Sequence, residues 1–251
     1  MSLYSMVGKV RREEPVLPPS STINAPLVIA VACFARDCAA PSELASALPA
    51  DCGAAFIFIQ QLAAVRETQT LLAASLARRT TLPVIQAHGE MMPEHGRLYV
   101  IAPNSTATMI GARICVIPAA GGIDCPADTL FTSLAQEFGR NAIGVILSGG
   151  GSDRALGIRA IKHAGGITFA QYPGSARFPN LPISAIDTGC VDFVLRPNEI
   201  AHELARISRR CELTRNPGVC FVGQRVTPAS RGLQTAPIED REVAAAASIE
   251  L

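Results

Sequence analysis

The stretch "GVILSGGGSDRALGIRAIKHAGG", Gly144 to Gly166, decides the architecture. An apolar run from Gly144 to Leu147 meets three glycines, then Asp153, then a helical pattern. An uninterrupted apolar run followed by a helix has the form of a strand buried on both faces and its crossover, the repeating unit of a parallel sheet. An acid just past such a strand end is placed for chemistry, because sites in open α/β sheets gather at strand carboxyl ends. The rest of the chain has to show what Asp153 would work with.

The same alternation extends in both directions. "LVIAVAC" reads as a buried strand, and "PSELASALPA" as a short helix opened by Pro41. "AAFIFIQ" is the next strand. "ETQTLLAASLARR" has helical spacing, with Leu71, Leu72, Leu76 and Ala77 on one face. "LPVIQA" and "GRLYVIAP" are short strands, and "TATMIG" with "RICVIP" forms a hairpin. "PADTLFTSLAQEFG" is a helix whose apolar stripe is Leu130, Phe131, Leu134 and Phe138. Beyond the opening stretch come strands at "ITFAQ" and "VDFVL" and a closing helix, "PNEIAHELARIS". The expected fold class is α/β, a doubly wound, mostly parallel sheet with helices on both faces. Residues 1–25 read as a flexible leader, 26–208 as the domain and 209–251 as a flexible tail.

Composition narrows the function classes. The 251 residues are 49% hydrophobic and 17% charged, with a net charge of +1. No basic surface for nucleic acid follows from that balance, and aromatics at 5% with no Trp argue against a base-stacking platform. The longest apolar run, "APLVIAVACFA", is too short for the ~20 residues that cross a bilayer. No signal peptide is read at the N-terminus. Eight cysteines without a C-x-x-C pair are read as free thiols of a cytoplasmic protein, with Cys33, Cys115 and Cys190 inside strands.

Three junctions lie at expected strand ends: "AVACFARDCAAP", "FIFIQQLAA" and "ILSGGGSDRALG". A triad hydrolase would need Ser or Cys at one, His at another and Asp at the third. Only the acid is there. The blocks "ALPADCGAAFIFIQQL", "LPVIQAHGEMMPEHGRLYVIAPN", "PADTLFTSLAQEFGRNAIGVILSGGGSDRALGIRAIKHAGG" and "AQYPGSARFPNLPISAIDTGCVDFVL" nevertheless resemble, in order and spacing, the catalytic domain of the CheB-type protein-glutamate methylesterases. That resemblance covers roughly Leu27 to Ser208. It implies a Ser-His-Asp site acting on methylated glutamyl side chains of chemotaxis receptors, with methanol released. It implies no cofactor. The receiver domain that often precedes this domain in the family is not expected here.

The resemblance places Asp153 at the triad aspartate, with Arg154 where the family has glycine. Its serine falls on Phe34, its paired glycines on Arg36 and Asp37, and its histidine on Gln61. Phenylalanine has no nucleophilic atom, and glutamine takes up no proton at neutral pH. Arg36 and Asp37 bring Cβ atoms into a turn that needs close backbone approach. Pro41 is expected to delay the following helix and turn its N–H groups from the site. Asp153 would then pair with Arg36 or Arg154, and Gly150 would let its loop approach the first-strand turn.

Other readings are weaker. Cys33, one residue before Phe34, is the alternative nucleophile, but no base accompanies it. His88 and His95 are too far apart for a metal pair without a third ligand and read as loop histidines. His163 and His202 read as exposed helix residues. "SGGGSD" lacks the Lys-Ser/Thr of a P-loop, and Arg154 breaks the dinucleotide pattern. The expectation is a methylesterase-like domain without catalysis, acting as a binding or regulatory module on a chemotaxis receptor or signalling protein. The alternatives are a residual ester hydrolase using Cys33 or an Asp153-held water, and a small-ligand sensor.

Overall fold

The computed structural model describes residues 27–34, 37–61, 71–102, 105–118, 125–149 and 156–213. In chain order the elements are β1 Leu27–Phe34, α1 Ala39–Ser46, β2 Ala54–Gln61, α2 Leu71–Ala77, β3 Val84–Ala87, β4 Gly89–Met91, β5 Arg97–Ile101, β6 Ser105–Ile110 and β7 Arg113–Pro118. Then follow α3 Pro126–Phe138, β8 Ile143–Ile146, α4 Leu156–His163, β9 Ile167–Gln171, α5 Asn180–Asp187, β10 Phe193–Leu195 and α6 Pro197–Leu213.

Seven strands form one sheet in the order β10-β9-β8-β1-β2-β5-β3, and every pair in it is parallel. β1 is apolar throughout because each face has its own cover. Val28, Ala30 and Ala32 lie in one buried cluster, with Leu130, Phe131 and Leu134 of α3, Ile158 and Ile161 of α4, and Leu181 of α5. Ile29, Val31 and Cys33 lie in the other, with Leu44 of α1, Leu72 and Leu76 of α2, and Leu204 and Ile207 of α6. Helices on both faces of a parallel sheet make the expected doubly wound architecture. Small residues set the spacing on the first face. A Cβ on Gly144 would sit 2.6 Å from Ile161 Cδ1 and 3.0 Å from the Phe131 ring.

A second sheet, β4-β7-β6, is antiparallel. β6 and β7 are the expected hairpin, turning at Gly111 (φ 56°) and Ala112 (φ 62°). The sequence reading contains neither β4 nor α5, and α6 runs on to Leu213, past the Ser208 boundary. Leu72 and Leu76 are buried as expected, whereas Ala77 is exposed. Leu130, Phe131 and Leu134 are buried, and Phe138 packs partly buried at the edge of the same cluster.

Pro41 does not delay α1. The helix begins at Ala39, two residues before it. Pro41 therefore stands in the first turn, where its missing N–H removes no intrahelical bond. Asp37, buried, accepts the Ala39 N–H at 3.0 Å and starts the turn from outside. Cys33 is buried as expected, but Cys115 and Cys190 are only half-buried. Among the described residues, Cys115 lies on the face of its sheet turned away from the core, and Cys190 lies in the approach to β10.

The tightest backbone fit is at the α4–β9 joint. A Cβ on Gly166 would fall 2.4 Å from the carbonyl oxygen of Ala142, which itself accepts the Ile167 N–H at 3.0 Å. Gly166→Ala is expected to destabilise the domain by about 2–3 kcal/mol in urea unfolding. Gly144→Ala should cost less, because the atom it meets is the mobile end of Ile161.

Candidate functional site at the strand carboxyl ends

The chain leaves β1 for β2 on one side and returns to β8 on the other, so the strand order reverses between β1 and β8. The crevice outside their carboxyl ends is where this architecture places ligands. Phe34 is the last residue of β1 and is paired in register with Gln61, the last of β2. Phe34 and Gln61 are thus neighbours across one strand pair. On the other side, β8 stays paired beyond its last residue, with the Leu147 N–H donating to Ala32 at 2.9 Å. Ser148 and Gly149 follow at the crevice. Arg36, Gly150, Asp153 and Arg154 lie outside the described residues, and so do the expected ion pairs of Asp153.

The β8 end is held by a buried polar network that sequence reasoning missed. Gln171, at the end of β9, accepts the Ser148 N–H at 2.8 Å through Oε1. Its Nε2 donates to the Ser175 carbonyl at 3.1 Å and to Ser175 Oγ at 3.2 Å. Ser148 Oγ accepts the Phe178 N–H at 3.0 Å, and the Gly149 N–H donates to the Phe178 carbonyl at 2.8 Å. Ser148 and Gln171 are both fully enclosed, so each bond satisfies a group that would otherwise cost ~1–3 kcal/mol unpaired. The available signal was a long polar side chain closing the apolar strand "ITFAQ". On the far side of the 150–155 segment, Asp128 Oδ1 of α3 accepts the Gly157 N–H at 2.8 Å. Side-chain hydrogen bonds, from buried Gln171 and Ser148 and half-buried Asp128, therefore flank the 150–155 segment on both sides.

The first turn of α1 offers few donors to a ligand. Asp37 occupies the Ala39 N–H, Pro41 has none, and the Ser42 N–H bonds back to Cys38 at 3.1 Å. An oxyanion needs free, converging N–H groups.

Cys33 belongs to the cluster shared with α1, α2 and α6, and no part of it is exposed. Its thiol lies 3.8 Å from the Ile59 carbonyl, to which it donates. Burial, and then Cys38 and Asp37 nearby, push its ionisation far above the ordinary thiol range. A nucleophilic cysteine needs the thiolate and access, and Cys33 has neither. Gln60, its register partner on β2, is also buried, and its Nε2 has no hydrogen-bond partner among the described residues. His88, His95, His163 and His202 are all exposed, and no group of three metal-ligating side chains occurs among the described residues. No helix among them is long and apolar enough to cross a membrane.

Fold and crevice together define a doubly wound α/β domain with a crevice where the strand order reverses. The chain belongs to the CheB methylesterase family, whose model matches residues 29–204. Over 217 residues it is 34% identical to a protein-glutamate methylesterase/protein-glutamine glutaminase of Anaeromyxobacter dehalogenans, covering 82% of this chain and 63% of that protein. It is 39% identical over 125 residues to an uncharacterized 104.1 kDa protein of Rhodobacter capsulatus, covering 49% of this chain and 13% of that one. It thus spans less than two thirds of either relative. The crystal structure of the Thermotoga maritima CheB methylesterase catalytic domain superposes with a TM-score of 0.65 at 20% identity, covering 73% of this chain and 98% of that one. That likeness concerns the fold alone.

The burial of Cys33 has a measurable consequence. Iodoacetamide should leave Cys33 unmodified in the folded protein and label it on unfolding, as read by peptide mass spectrometry. The unfolded thiol ionises near its ordinary value of 9.0 while the folded one stays neutral. Stability should therefore fall as pH rises above that value, and less steeply in Cys33→Ala.

Proposed function

We propose that this chain is a methylesterase-family domain that has lost ester hydrolysis and acts as a binding or regulatory module on a chemotaxis receptor or signalling protein. The observation that carries this reading is the Phe34–Gln61 pair at the ends of β1 and β2. At the positions assigned by resemblance to nucleophile and base, neither residue can attack a carbonyl or hold a proton. Asp153 orients a histidine in an intact triad, and with Gln61 in that place it has none to orient. The occupied and missing donors of the first α1 turn support the same reading, and the burial of Cys33 weighs against a surrogate nucleophile. The packed core and the pinned β8 end support a scaffold that still presents a surface to a partner. No cofactor is called for.

Methanol release from a methylated receptor fragment tests this directly. The natural chain should turn over about six orders of magnitude more slowly than an intact triad enzyme, since nucleophile and base are lost together. A Phe34→Ser/Gln61→His variant that turns over would show that the crevice still accepts the substrate. Clear turnover by the natural chain would overturn the proposal. If alkylation abolished that turnover, the activity would belong to a cysteine; if alkylation left it intact, a water held at Asp153 would be the next candidate.

A further inference from the structure

Among the described residues, the β4-β7-β6 sheet packs against the core with one of its two faces. Ile114 and Val116 of β7, Ala107 and Met109 of β6 and Met91 of β4 pack into the core beside α3. Alternation turns the intervening residues outward. The two most exposed large apolar side chains among the described residues are there: Ile110 is 60% exposed and Ile117 59%. Met92, next in the outward row after Glu90, is 51% exposed. Only Thr106, at one corner of this face, is buried.

Register fixes the pattern of the face. Cys115 stands on the middle strand, with Glu90 beside it on β4 and Thr108 beside it on β6. Arg113 lies two residues along β7, opposite Ile110. One acid and one base therefore flank a central thiol in perpendicular directions, ~4.8 Å across the sheet and ~6.8 Å along it. Burial pushes the pKa of the Cys115 thiol up, Glu90 raises it further and Arg113 lowers it.

We infer that this face is a self-association surface, on which two copies of the chain stack with their small sheets crossed at near right angles, Cys115 over Cys115 and Glu90 against Arg113. The charges choose this geometry among the two-fold arrangements. An axis along β7 would set Arg113 against Arg113, and an axis across the strands would set Glu90 against Glu90. The diagonal axis exchanges the two directions and brings each acid to the other copy's base. Such a contact is isologous, and crossed sheets are one of the two standard packings. The face spans about 300 Å² of sheet, against ~800 Å² per partner for a standard interface, so the dimer is weak and concentration-dependent.

Sedimentation velocity on the full chain over a concentration series tests the inference. Reversible dimerisation is expected. Glu90→Arg and Arg113→Glu should each weaken it about tenfold, and the double reversal should restore it. A short bis-maleimide should cross-link the dimer, and Cys115→Ser should abolish the cross-link while leaving association intact. Glu90 and Arg113 are exposed and Cys115 is half-buried, and unchanged melting curves will confirm that each variant folds. A monomer at every concentration would overturn the inference. So would a dimer indifferent to both reversals, or a cross-link that survives Cys115→Ser.

Discussion

Everything in this domain depends on β1 being covered twice. Eight consecutive residues, Leu27 to Phe34, run through the middle of the sheet with β2 on one side and β8 on the other. Val28, Ala30 and Ala32 serve one helical layer, and Ile29, Val31 and Cys33 the other. A strand committed to both layers leaves polar chemistry only at its ends. The strand order reverses beside it, so its carboxyl end opens onto the crevice. The same constraint holds Cys33, one residue before the strand end, inside the second layer.

The crevice separates scaffold from chemistry. Its framework is well bonded. Gln171 and Ser148 hold the β8 end, Asp128 holds the start of α4, and Gly149 sits so close to Leu181 that a Cβ would fall 2.6 Å from its Cδ2. None of these contacts is a reacting group. These bonds hold the crevice's framework, and the proposed loss of esterase chemistry concerns other positions, Phe34 and Gln61 at the ends of β1 and β2. Membership of the CheB methylesterase family describes the scaffold, and the activity has to be argued from the strand ends.

Much of this was legible in the sequence. Apolar runs without alternation revealed a parallel sheet covered on both faces, and the stripe of Leu130, Phe131 and Leu134 marked the face of α3 that the core uses. The misses have physical causes. "NLPISAID" carries a proline in its first turn and lacks a clear stripe, yet forms α5 because Leu181, Pro182 and Ala185 find the sheet. β4 is three residues long and exists through its pairing with β7. Pro41 was read as the start of α1, but a proline fits any first-turn position, and Asp37 set the boundary two residues earlier. Hydrogen-bond hubs such as Gln171 show in the sequence only as a polar residue closing an apolar strand, because their partners, Ser148 and Ser175, are brought together only by the fold.

The most direct test of the central claim, an intact scaffold without a nucleophile, is labelling of the folded chain with a fluorophosphonate, which reacts covalently with activated serine hydroxyls. Peptide mass spectrometry should find no adduct on the natural chain while its cooperative unfolding transition is present. A stoichiometric adduct at a residue lining the β1–β8 crevice would contradict the account.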